Sequence, residues 1–194
     1  MSEAQLSADV PNWEDEYLDR VSDRLMYNYD LEKDVTLHGE SFAMAGEMRL
    51  ESEKHFFHPS LNYANHEARE YLYARRQSAV TVADLERLVE LGNEVAEERV
   101  DRQDDHFSTD VTFVLVVPAI DDAVASFVES FSGRNLLMFG FHGHYEVNLA
   151  VVSPDDQQSV ASKNADVVTA FETWADIERE SPGLLGTILR RLEI

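Results

Sequence analysis

The stretch from Thr109 to Val152 constrains the fold more than any other part of this chain. Thr109–Val117 (TDVTFVLVV) is rich in β-branched residues and reads as a strand. Ile120–Phe131 sets Ile120, Val124, Phe127, Val128 and Phe131 on one helical face, with Asp121 and Asp122 at its start and Gly133 just beyond its end. Leu136–Val152 is extended again. Such a strand–helix–strand unit crosses over right-handed and pairs its strands in parallel when they share a sheet.

The remaining segments predict a mixture. From Val35 to Phe57 apolar and polar residues alternate. Phe42, Met44, Met48 and Leu50 point one way; Ala43, Ala45, Glu47, Arg49 and Glu51 point the other. That is a half-buried strand in a hairpin or meander, with Gly39 and Gly46 as turn or bulge positions. Arg69–Arg76 fits either a strand or a short helix. Helices are expected from Asn12, as cap, to about Tyr29, and from Thr81 to about Glu98. Two more are expected over Asn164–Glu180 and Leu184–Leu192. Thr81 and Asp84 resemble a capping box, and Gly92 reads as a point of close approach. The expected fold class is α+β: a largely antiparallel sheet with one β-α-β crossover unit and helices packed against it. Residues 1–11, ending in Pro11, read as a flexible leader, and 12–194 as a single domain.

Charge bounds the setting. The chain carries 38 Asp and Glu against 16 Lys and Arg, a net charge of −22 over 194 residues. Self-repulsion of that size strains a compact state at low salt. It matters little in molar salt, where screening acts within about 3 Å. The composition is that of a protein at work in a salt-rich cytoplasm. It argues against a broad phosphate-binding surface, and so against nucleic acid as a partner. There is no cysteine, so a metal must be held by His and carboxylates. The opening MSEAQLSADVPNW has neither the basic segment nor the apolar core of a signal peptide. The apolar runs fall short of the roughly 20 residues of a membrane span.

All seven histidines lie outside the three best-supported helices, and five of them, all but His38 and His106, fall where acids are scarce. Lys54–His66 has no acid, and Arg134–Ser153 has only Glu146. In the second gap, a straight strand over HGHYEVN would put His142, His144, Glu146 and Asn148 on one face. With His106 or Asp110 from the preceding strand, those residues are a candidate set for a divalent transition metal. If His142-Gly143 is instead a hairpin turn, His142 and His144 no longer share a strand face. In the first gap, His55 and His58 have HxxH spacing, a weak ligand signal by itself, and with His66 they make no HExxH pattern. Along Arg69–Arg76, a strand would align Arg69, Tyr71, Tyr73 and Arg75. That face suits a protein contact or stacked bases, or an ordinary sheet face whose arginines pair with acids.

The segments HFFHPSLNYANHEAREYLYARR, HFSTDVTFVLVV and GFHGHYEVNLAVV, with the acid-rich composition, resemble a haloarchaeal family of uncharacterised proteins. The resemblance implies lineage and compartment and no catalytic residue. The first expectation is a self-associating binding or interaction module, needing no cofactor, with a protein partner or a second copy on Arg69, Tyr71, Tyr73, Arg75, His142 and His144. The second is a metal-dependent hydrolase using His142, His144, Glu146, His106 and Asp110. The third is a single-stranded nucleic-acid binder through the Arg/Tyr face.

Overall fold

The structure is a computed structural model, and it describes residues 11–52, 66–99, 106–136 and 144–175. The histidine cluster at His55 and His58, residues 1–10 of the expected leader and the expected helix over Leu184–Leu192 lie outside the described residues. The elements, in chain order, are α1 (Glu16–Leu25), β1 (Asp30–Leu37), β2 (Glu40–Ser52), β3 (His66–Arg76), α2 (Val82–Arg99) and β4 (His106–Val116). They continue with α3 (Asp122–Ser130), β5 (Gly133–Leu136), β6 (His144–Ser153), β7 (Gln158–Ala161) and α4 (Val168–Phe171).

The strands form one seven-stranded sheet in the order β1-β2-β3-β4-β6-β5, with β7 pairing β6 beyond the end of β5. β1, β2 and β3 run antiparallel in sequence, as do β5 with β6 and β6 with β7. β3 with β4 and β4 with β6 are parallel. The fold is therefore α+β, and the expected crossover through α3 joins β4 to β6. A second crossover, through α2, joins β3 to β4; it was not expected, because Arg69–Arg76 was open between strand and helix. Both crossovers advance in the same direction along the sheet. The handedness rule therefore sends both helices to the same face, and the apolar sides of α2 and α3 share one core with that face.

Local chemistry explains the element ends. His38 (φ 48) and Gly39 (φ 86) are both left-handed and make the two-residue turn between β1 and β2. The His38 ring then meets Glu94 and Glu98 of α2 at 3.3 and 3.1 Å, tying hairpin to helix. Thr81 and Asp84 form the reciprocal box at the start of α2: Thr81 N donates to Asp84 Oδ2 at 2.8 Å, and Asp84 N donates to Thr81 Oγ1 at 3.3 Å. A Cβ on Gly92 would lie 2.7 Å from Val147 Cγ1, so only glycine lets α2 settle on β6. Of the two readings of Leu136–Val152, one straight strand or a hairpin, the second fits the pairing: β5 and β6 run antiparallel, with Leu136 opposite His144.

The opposite face of the sheet is covered by α1 and α4, around Val21, Leu25, Met44, Leu72, Val114, Val152 and Phe171. Phe42 departs from the expected alternation. It packs into the α2 side while Met44 and Met48 pack into the α1 side. The break lies at Ala43, across from left-handed Asp34 (φ 54). The helix expected from Asn164 is, among the described residues, the single turn α4. The cap of α1 is Asp15 rather than Asn12. Its carboxylate accepts from the backbone of Tyr17 and Leu18 and takes two bonds from Arg76, at 2.7 and 3.1 Å.

Those two guanidinium bonds, outweighing partial burial, hold the Asp15 carboxyl below its ordinary pKa. A depressed carboxyl stabilises the fold above its unfolded pKa, and the contribution is lost as pH falls through the folded value. Asp15→Asn should therefore cost about 1 kcal/mol at pH 7, because the pair is partly exposed. In urea unfolding at fixed KCl, the gap between variant and parent should close as the acid limb is entered.

Candidate metal centre

The register of β3, β4 and β6 arranges their even-numbered residues in rows across the α1 face. From the carboxyl ends of the strands toward the amino ends, the rows are Ala74-Val114-Ala150, Leu72-Thr112-Asn148, Glu70-Asp110-Glu146 and Ala68-Ser108-His144. The face thus changes from apolar under α1 to carboxylate-rich in two steps. Parallel strands in register put like residues side by side, about 4.8 Å apart. Three adjacent carboxylates repel one another.

The donor atoms of Asp110, His144 and Glu146 lie within 4.8 Å of one another. Glu146 is buried, and Asp110 and His144 are half-buried. An ion of the zinc or manganese type holds oxygen and nitrogen at about 2.1 Å, so small side-chain rotations would close the group around one. Asn164 Nδ2 donates to Glu146 Oε1 at 2.6 Å and fixes that carboxylate. Beside it, the Ser162 hydroxyl lies 3.3 Å from Asn148 Oδ1 and accepts from Leu149 N at 3.1 Å.

Two buried hydroxyls border this group. Tyr29, just beyond α1, has its phenol pushed well above its ordinary pKa, chiefly by burial and then by the carboxylates of Glu70, Asp110 and Asp166. Its hydroxyl lies close to Glu70 but without hydrogen-bond geometry, and Thr112 Oγ1 is buried with no partner. Unsatisfied buried hydroxyls are uncommon; these two lie on the face of the cluster, and a third, Thr109 Oγ1, lies on the α2 face.

Of the five residues proposed from sequence as metal ligands, three converge: Asp110, His144 and Glu146. His106 opens β4 opposite Glu67. Its side chain and the whole of His142 lie outside the described residues, so neither is placed in the group. Glu70, Tyr29, Thr112 and Asn164 were missed. Glu70 was recoverable from alternation once 69–76 is a strand parallel to 109–117. Asn164 carries no signal, since a loop brings it in.

The structure places the described residues of the expected interaction surface on two faces of the sheet. Arg69, Tyr71, Tyr73 and Arg75 do share a strand face, but it is the face under α2. Tyr71 and Tyr73 are buried in that core, at 3% and 4% exposure, and Tyr73 stacks on Phe113. Arg99 lies over the Tyr71 ring at 4.8 Å, and Arg75 pairs with Glu40 above Phe42. His144 belongs to the opposite face, so the six residues do not form one surface. Base stacking on Tyr71 and Tyr73 has no exposed ring to use.

Thr112→Val keeps shape and removes the unpaired hydroxyl. It should raise the stability of the metal-free protein by about 1 kcal/mol, as a higher urea midpoint with unchanged slope. A fall in the midpoint would mean that the hydroxyl has a partner worth keeping.

A family model described as a domain of unknown function (DUF8052) matches residues 14–173. No curated protein and no solved structure matches the chain significantly.

Proposed function

We propose, for a chain that belongs to the DUF8052 family, that it binds a divalent transition-metal ion through Asp110, His144 and Glu146. One observation carries the reading: three donors from two adjacent strands lie within 4.8 Å of one another, in a sheet row that also holds Glu70. A cation there would remove the repulsion that the register creates. One nitrogen and two oxygen donors suit zinc, manganese or nickel better than a thiophilic ion.

Metal-dependent hydrolysis is the second reading. It is favoured by the number of ligands, since three protein donors leave a coordination position for water. A bound ion would supply a water acidified toward neutral pH, and Asn164 would keep Glu146 oriented. A self-associating interaction module has less support, because two of the rings assigned to its contact face are buried. We place the protein in a salt-rich cytoplasm on the strength of its acid excess. No helix among the described residues is long and apolar enough to cross a membrane.

The test uses the full chain without a His-tag, stripped of metal, in buffered KCl. Calorimetric titration and thermal unfolding with zinc, manganese and nickel should show one ion bound per chain and a raised Tm. His144→Ala and Asp110→Asn should each weaken binding by about tenfold or more. In the metal-free state Asp110→Asn should be neutral or stabilising by about 0.5 kcal/mol, because it thins the carboxylate row. Absence of heat and of thermal shift with all three ions would sink the proposal.

A further inference from the structure

The charged row does not end at Glu146. Arg134 of β5 lies opposite Glu146 in the antiparallel pairing, so the two side chains leave the same face of the sheet. The next residue confirms the direction: Asn135 reaches the other face, where its amide donates to Asn93 of α2 at 3.3 Å. The row therefore reads Glu70, Asp110, Glu146, Arg134 across four neighbouring strands.

Arg134 is exposed, and among the described residues it makes no ion pair. Arg20, Arg24 and Arg99 also form no ion pair among the described residues, but the first two bond backbone carbonyls and Arg99 lies over the Tyr71 ring. Arg75, Arg76 and Arg87, by contrast, each pair with a carboxylate. Glu146, the acid beside Arg134, is engaged by Asn164 instead. Arg134 thus keeps a planar fork of donors open to solution at the edge of the donor cluster. The hydroxyls of Thr112 and Tyr29, buried on the same face without hydrogen-bond partners, are polar groups left open beside the cluster.

We infer that the metal centre takes an oxyanion from solution, a phosphoryl or carboxylate group, clamped between the ion and the Arg134 guanidinium. The inference rests on the metal reading above. Two carboxylate ligands cancel a dication, so the ion by itself gives an anion little net attraction, and Arg134 supplies positive charge locally, at the end of the row away from Glu70. The spacing fits. Neighbouring strands are about 4.8 Å apart. An oxygen sits about 2.1 Å from such an ion and about 2.8 Å from a guanidinium nitrogen. Two oxygens of one group bridge that gap.

The experiment titrates inorganic phosphate and, separately, acetate into the full chain loaded with one equivalent of zinc or manganese, at constant KCl. Parent and Arg134→Gln are compared by calorimetry, and metal affinity is measured for both. The expected result is that the loaded parent binds at least one of the two anions and the stripped parent binds neither. Arg134→Gln should lose at least tenfold in anion affinity while its metal affinity stays within about twofold. Whichever anion binds more tightly identifies the group. If neither anion binds the loaded parent, or Arg134→Gln binds it equally well, the inference is overturned and the metal reading stands. A large loss of metal affinity in Arg134→Gln also overturns it, by assigning Arg134 to the ion or the fold. Failure of the parent to bind metal removes both readings.

Discussion

The parallel register of β3, β4 and β6 is the constraint on which the rest depends. Because Ala74, Val114 and Ala150 share one row, α1 has a flat apolar bed. Because Glu70, Asp110 and Glu146 share another, three carboxylates stand side by side. A shift of one residue in β4 would turn Asp110 into the α2 core and bring Val111 to the acidic face. Core and candidate site therefore stand or fall together, and the site is held by backbone hydrogen bonds rather than by loops.

The two faces of the sheet divide the work. On the α2 side, Tyr71, Val111 and Val147 form one row and Tyr73, Phe113 and Leu149 the next, all buried. Two crossover helices cover that face, and Gly92 lets one of them lie close against Val147. On the other face α1 and the short α4 cover the apolar rows, and polar groups from residues 162–166 close in on Glu146 and Asn148. The polarity change along this face is a consequence of incomplete helical cover: where no helix supplies apolar contact, carboxylates and hydroxyls can stand.

The acid excess takes two forms with opposite physics. On α2, Glu86, Glu90, Glu94, Glu97 and Glu98 are exposed, where water and salt screen their repulsion. Glu146 is buried, with Asp110 beside it, where screening is weak and each negative charge needs a partner. The acid-poor stretch Arg134–Ser153 marks this difference, since its only acid is the buried Glu146. Half of the stretch, His144–Ser153, is the inner strand β6, where burial disfavours charge, and the one carboxylate there lies in the row with Asp110.

Much of the architecture was legible in the chain because periodicity and end signals are local. The strand over 109–117, the helices after Thr81 and Asp121, the role of Gly92 and the α+β class all followed from short patterns. So did the pairing of Asp110, His144 and Glu146 as ligand types, since alternation alone puts His144 and Glu146 on one face. The sequence could not say which face of β3 lies under a helix, because Arg69–Arg76 alternates equally well toward solvent or core. Tyr71 and Tyr73 therefore stayed open between a contact surface and an ordinary sheet face. Nor could it bring Glu70, Tyr29 and Asn164 to one place, since they lie far apart in the chain and meet only through sheet order and loop return. Residue types and strand faces are set by the sequence within a few neighbours; the tertiary structure alone decided which strands lie adjacent, in what register, and therefore which carboxylates stand side by side.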